Sequence, residues 1–202
     1  MIGLFISLHA ADEQAAWKDP TVQGFSIYKG QLDYTEGFGA YLDIPFRPMT
    51  KNFDNGGGSH DYNTQFLREI LGVENIAYDP YQRPKEQNEK ALELVAKQVF
   101  DTATSNSVLN VIDTLHNRLE HILLSCEALK KYGAAYFKVF DGNHSSEGQW
   151  LSYGYQANQP VDFYQKEVEQ VFGAGNVVTD QLKHMIIAYK NSGCKDAFKK
   201  RS

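Results

Sequence analysis

The sequence predicts an α/β domain: a mostly parallel, twisted sheet covered by helices on both faces and finished by an antiparallel hairpin. Three observations carry this. Strand-like and helix-like runs alternate from about residue 50 to residue 190, the order a parallel sheet requires. The glycine run of "NFDNGGGSHDYN" separates the first strand from the first helix. Two apolar runs in "NVVTDQLKHMIIAYK" lie so close together that they must form a hairpin.

The first strand covers about Lys51–Asp54. In "TQFLREILG", Phe66, Leu67, Ile70 and Leu71 share a helical face, and Gly72 stands at the C-terminal cap. "VENIAYDP" is a short buried strand stopped by Asp79-Pro80. Pro84 opens a polar helix with Ala91, Leu92 and Val95 turned inward. "VFDTATSNSVLNVI" is a β-rich run that turns at Ser105-Asn106. Asp113 is placed to cap the following helix, whose apolar stripe is Leu115, Leu119, Ile122, Leu123, Cys126 and Leu129, and Gly133 ends it. "AAYFKVF" is apolar on both faces, as a central strand requires. Residues 142–159 read as a polar and aromatic loop. Pro160 then opens a helix with Val161, Tyr164, Val168, Val171 and Phe172 inside. This divides the chain into a domain at 49–202 and an N-terminal extension at 1–48 that packs on it as a lid.

At 202 residues with 42% hydrophobic content, the chain can bury one sizeable core. A formal net charge of −5 gives no footprint for tight nucleic-acid binding. The basic end "KDAFKKRS" reads as a solvated terminus. No run reaches the ~20 apolar residues of a membrane helix. Cys126 and Cys194 make neither a disulfide framework nor a metal spacing, so a reducing, cytoplasmic compartment is expected.

The turn after the first strand of a doubly wound sheet is where ligands bind. A dinucleotide fingerprint needs a third glycine where this chain has Asp61, whose carboxylate would repel a pyrophosphate. The better match is D-x-G-x-G, formed by Asp54, Gly56 and Gly58. This resembles the first motif of class I S-adenosylmethionine-dependent methyltransferases, with a Rossmann-like fold. The resemblance implies that the glycines admit S-adenosylmethionine, a cofactor with cationic groups and no phosphate. It implies that Asp79, 25 residues after Asp54, accepts hydrogen bonds from the ribose hydroxyls. Ser105, Asn106 and Val108 would then lie along the cofactor, with Tyr81 stacking nearby. More narrowly, "YDPY" with "SVLNVI" looks like methyltransferase-type proteins of phages and phosphorothioation-linked operons.

The sequence departs from that family where residues 82–98 leave room for one helix only, so its third strand is expected to be missing. The sheet edge beside Asp79 would need a cover, and "FSIYKG" at 25–30 is the candidate. His60 and the polar first strand are further departures. "DPY" also resembles the D-P-P-Y of amino-methylating DNA enzymes, but it follows the wrong strand. "DGNHSSEG" fails as a calcium loop at Ser146 and Ser152. His116 and His121 are five apart, cannot form a zinc pair, and read as solvated.

The loop from 141 to 159 follows the strand that, in this family, ends beside the transferring methyl group. Asp141 and His144 are its candidate acid–base residues, with Trp150, Tyr153 and Tyr155 able to stack; a plain surface loop is the competing account. The expected function is a methyltransferase whose acceptor is unknown. The alternative is a non-catalytic methyltransferase-like module that binds cofactor or a partner.

Overall fold

The computed structural model describes residues 40–152, 154–195 and 198. Its main sheet runs β1 (Lys51–Asn55), β2 (Glu74–Tyr78), β3 (Phe100–Asn106), β4 (Leu129–Lys138), β7 (Val177–Asp180) and β8 (Met185–Tyr189). A separate hairpin pairs β5 (Gln149–Leu151) with β6 (Gly154–Gln156). The helices are α1 (Tyr62–Leu71), α2 (Lys85–Ala96), α3 (Leu115–Ala128) and α4 (Gln165–Phe172).

Across the sheet the order is β2-β1-β3-β4-β8-β7. The first four strands are parallel, and β8 runs antiparallel to both β4 and β7, the terminal hairpin that the sequence predicts. Residues 82–98 supply α2 and no strand, so β2 is the outer strand among the described residues. It is half-exposed rather than buried, and beside it lies a groove of about 340 Å³ floored by Ile76, Ala77, Ala91 and Leu94. The expected cover, "FSIYKG", falls outside the described residues. Residues 40–46 do pack on the core: Tyr41 against Leu67 and Val73, and Ile44 against Ala134, Tyr136 and Met185.

The two faces of the sheet are built differently. One is apolar, with Phe53, Ala103, Phe137 and Ile186 packed against α2, α3 and α4. On the other, alternation brings Asn52, Asp54, Thr102 and Thr104 side by side. Asn52 Nδ2 donates to Asn75 Oδ1 at 2.7 Å and to Thr104 Oγ1 at 2.8 Å, and Thr102 Oγ1 donates to Asn52 Oδ1 at 2.8 Å. Thr104 Oγ1 and Tyr41 OH donate to Asp54 at 3.0 and 2.8 Å. The polar first strand is thus a buried ladder in which each member serves the next.

Several local expectations are corrected. Thr114, not Asp113, caps α3, accepting from Asn117 N at 3.2 Å. In its stripe Leu115 is 47% exposed and Leu124 is buried instead. Gly133 does not end the helix but lies inside β4, where Tyr132 has φ 68° and the pairing with β3 slips, a bulge. A Cβ at Gly133 would stand 2.9 Å from the Asp101 carbonyl. In α1 only Leu67 is buried, and Ile70 is 68% exposed. Cys126 and Cys194, expected to be free, are joined in a disulfide that ties the chain end to α3. Among the described residues no helix is long and apolar enough to cross a membrane.

Candidate functional site

β1 sends the chain to β2 on one side, while β3 lies on its other side, so the strand order reverses between β1 and β3. The loops leaving β1 and β3 flank this crevice, where open α/β sheets bind ligands. Gly56 adopts φ 85°, and a Cβ there would lie 2.5 Å from Val108 Cγ2. Gly56 N and Gly57 N both donate to Tyr78 O, at 2.8 and 3.1 Å. Gly58, with φ 65°, would place a Cβ where no atom of the described residues lies within 4 Å. The loop is therefore pinned at its start and open at its third glycine.

Asp79 completes the pinning. Its Oδ2 accepts from Gly58 N at 3.1 Å, and its Oδ1 accepts from Tyr81 N and Gln82 N, each at 3.0 Å. Burial pushes this carboxyl above its usual range, against the pull of those three N–H groups. Asn88 grips the Asp79 backbone from both sides, accepting from its N and donating to its O, at 3.0 and 2.9 Å. Arg83 clamps the far side, donating to Gly58 O at 2.7 Å, His60 O at 2.9 Å and Asp61 Oδ1 at 2.8 Å. Asp54 lies beneath, 1% exposed in the polar ladder, its carboxyl raised chiefly by burial.

The structure thus brings together Gly56, Gly58, Asp79, Val108 and the backbone of Tyr81, with Asp54 supporting them from below. Ser105 turns away into the fold: it is 1% exposed and its Oγ lies 2.7 Å from His121 Nε2. His121 is half-buried, not solvated as its helical position suggested. Burial pushes it down to about 3, and its carbonyl accepts from Asn55 Nδ2 at 3.0 Å. Asn106 ends β3 half-exposed.

Asp141 and His144 do not pair. Asp141 Oδ2 instead meets His184 Nδ1 at 2.8 Å, and His144 is exposed in a turn at φ 59°. Asn88, Arg83 and His184 all escaped the sequence reading. An asparagine inside a helix is the one local signal among them, since that residue disfavours helix interiors.

No family model matches the sequence, and a search of curated proteins finds no relative. Solved structures do match. A chain of the complex between the Haloferax volcanii Trm112 methyltransferase activator and a provisionally assigned methyltransferase aligns with a TM-score of 0.51 at 13% identity, covering 91% of this chain and 96% of that one. The Burkholderia thailandensis 1,6-didemethyltoxoflavin-N1-methyltransferase, with bound 1,6-didemethyltoxoflavin and S-adenosylhomocysteine, aligns at 0.51 and 16% identity, covering 91% and 84%. The fold is that of the class I S-adenosylmethionine-dependent methyltransferases. Within this methyltransferase fold, the pinned glycine loop and Asp79 stand at the ends of adjacent strands, β1 and β2. An open glycine beside buried acidic groups suits a cationic ligand free of phosphate.

Proposed function

We propose that the chain binds S-adenosylmethionine over the glycine loop and transfers its methyl group to an acceptor. The observation that carries this reading is Gly58: left-handed, with no atom of the described residues within 4 Å of a Cβ, and bonded through its N–H to Asp79. Rigid pinning of Gly56 and openness at Gly58 are what a backbone needs in order to approach a ligand closely. When bound, the cofactor supplies an activated methyl carbon. The chain's own contribution is positioning, with the glycine loop fixed by Tyr78, Arg83 and Asp79 before any ligand arrives. The carboxylate oxygens of Asp79 have lone pairs beyond those its three N–H donors use, so they can accept from ribose hydroxyls.

Calorimetric titration with S-adenosylhomocysteine tests this. Wild type should bind, and Gly58→Val should lose binding at least tenfold while circular dichroism shows an intact fold. No heat at millimolar ligand would reject the proposal.

A second reading is a methyltransferase-like module without catalysis. It is favoured by Ser105, whose side chain is committed to His121 and not to the crevice. Binding of S-adenosylhomocysteine without turnover on any acceptor class would select it.

A further inference from the structure

A second cluster lies along the same sheet edge, on the other side of the crevice from Asp79. His184 is where the β7–β8 hairpin turns back, at φ 51°. Its carbonyl accepts from Val139 N at 2.9 Å and its N–H donates to Gln181 O at 3.3 Å, which fixes its backbone at the exit of β4. β3 leaves the sheet next door, where Ser107 N donates to Lys138 O at 2.9 Å, and one residue later Val108 meets Gly56. With strands spaced about 4.8 Å apart, His184 stands roughly 10 Å along the edge from the exit of β3.

The ring is held as well as the backbone. Asp141 Oδ2 lies 2.8 Å from Nδ1; the Asp141 side chain is 11% exposed and that of His184 is 48% exposed. A carboxylate on Nδ1 selects the tautomer with the proton there, which leaves Nε2 with its lone pair. A nearly buried acid thus orients an accessible base, the order of parts that proton abstraction requires. An exposed ion pair kept for stability would contribute only ~0–1 kcal/mol, and a turn alone would be served by glycine. Phe140, next to Asp141, and Leu182, two residues before His184, are 58% and 95% exposed, offering apolar surface for an organic molecule.

We propose that His184 is the general base of the methyl-acceptor site and Asp141 the residue that positions it. The acceptor is accordingly a small organic molecule that reacts through a hydroxyl or an N–H group. This rests on the methyltransferase reading above. The acceptor's proton passes to His184 Nε2, and the electron pair left on its oxygen or nitrogen forms the bond to the methyl carbon. The carbon–sulfur bond breaks with its pair staying on sulfur, and the proton leaves the imidazolium to water.

The test needs no acceptor. An aziridine analogue of S-adenosylmethionine places an electrophilic carbon at the methyl position, where the nearest free lone pair opens the ring. With the full chain, mass spectrometry should find the adduct on His184, and none in His184→Asn, whose affinity for S-adenosylhomocysteine stays within about twofold. Asp141→Asn should lower the labelling rate about tenfold and shift the His184 tautomer in nitrogen NMR, while Asp141→Glu restores both in part. If S-adenosylhomocysteine binds but the adduct falls elsewhere or nowhere, the base assignment is overturned and the methyltransferase reading stands. If S-adenosylhomocysteine does not bind, both fall, and calorimetry tells the two failures apart.

Discussion

A methyl group added to Gly56 would meet Val108 Cγ2 at 2.5 Å, whereas one added to Gly58 would meet nothing among the described residues. The two glycines should therefore respond differently. Gly56→Ala must both push Val108 aside and hold a left-handed backbone, so it should cost about 2–5 kcal/mol in urea unfolding. Gly58→Ala pays only for its left-handed backbone, about 1–2 kcal/mol, so its main effect should be on ligand affinity. His121 gives a pH prediction. The unfolded chain takes up a proton on this residue near 6.5, the folded chain only near 3. Between those values the unfolded state binds more protons, so this contribution to stability is full above about 6.5 and is lost as pH falls toward 3. Asp54 and Asp79, raised by burial, act in the opposite sense as they protonate. The His121 share is isolated by comparison with His121→Asn, whose stability should fall less between pH 7 and pH 5. An equal loss in both proteins would refute the assignment.

At the scale of elements, what the sequence showed was periodicity. The alternation of strands and helices, the Gly72 cap, the inner face of α4 and the final hairpin all follow from apolar spacing and turn residues. Burial read from pattern alone failed where a neighbour was absent: β2 has the composition of a covered strand, but no strand lies beyond it among the described residues. Gly133 read as a helix stop, and only its tertiary setting, inside a bulged strand with the Asp101 carbonyl against it, shows otherwise. Half of the site was legible for the same reason. Asp54, Gly56, Gly58 and Asp79 form a spaced motif, whereas Asn88 and Arg83 reach it, and His184 reaches Asp141, through approaches that depend on tertiary folding. Thr114 gives a test at this scale: Thr114→Ala should cost about 1 kcal/mol, and Asp113→Ala should leave the α3 cap intact. A second concerns Arg118, which binds both oxygens of Glu167 at 2.8 Å and lies over the rings of Phe163 and Tyr164, 5.9 and 5.8 Å from their centroids. Breaking this buried pair with Glu167→Gln should cost about 3–5 kcal/mol by thermal or urea melts.

Across the whole molecule, two features join distant parts of the chain. The Cys126–Cys194 bond spans 68 residues, and the chain-entropy account gives its removal a cost of about 4 kcal/mol. Cys194→Ser should lower the unfolding midpoint accordingly, and thiol titration of the native wild-type protein should find no free cysteine. The second feature is the ladder of Asn52, Asn75, Asp54, Thr104 and Tyr41 beneath the glycine loop. Its net contribution to stability is small, because every member gave up water to enter it. Its consequence is parity. Sliding β2 by one residue against β1 would set Glu74 or Ile76 opposite Asn52 in place of Asn75. A buried amide would then face a charge or a hydrocarbon, and the mis-set sheet would be heavily penalised. Replacing Asn52 and Asn75 together with leucine strands Thr102 and removes one donor from Asp54, so it should lower the melting temperature and also broaden the amide NMR spectrum as neighbouring pairings become comparable in energy. The polar strand acts as a key that admits one alignment, and through that alignment it sets where Gly58 and Asp79 meet.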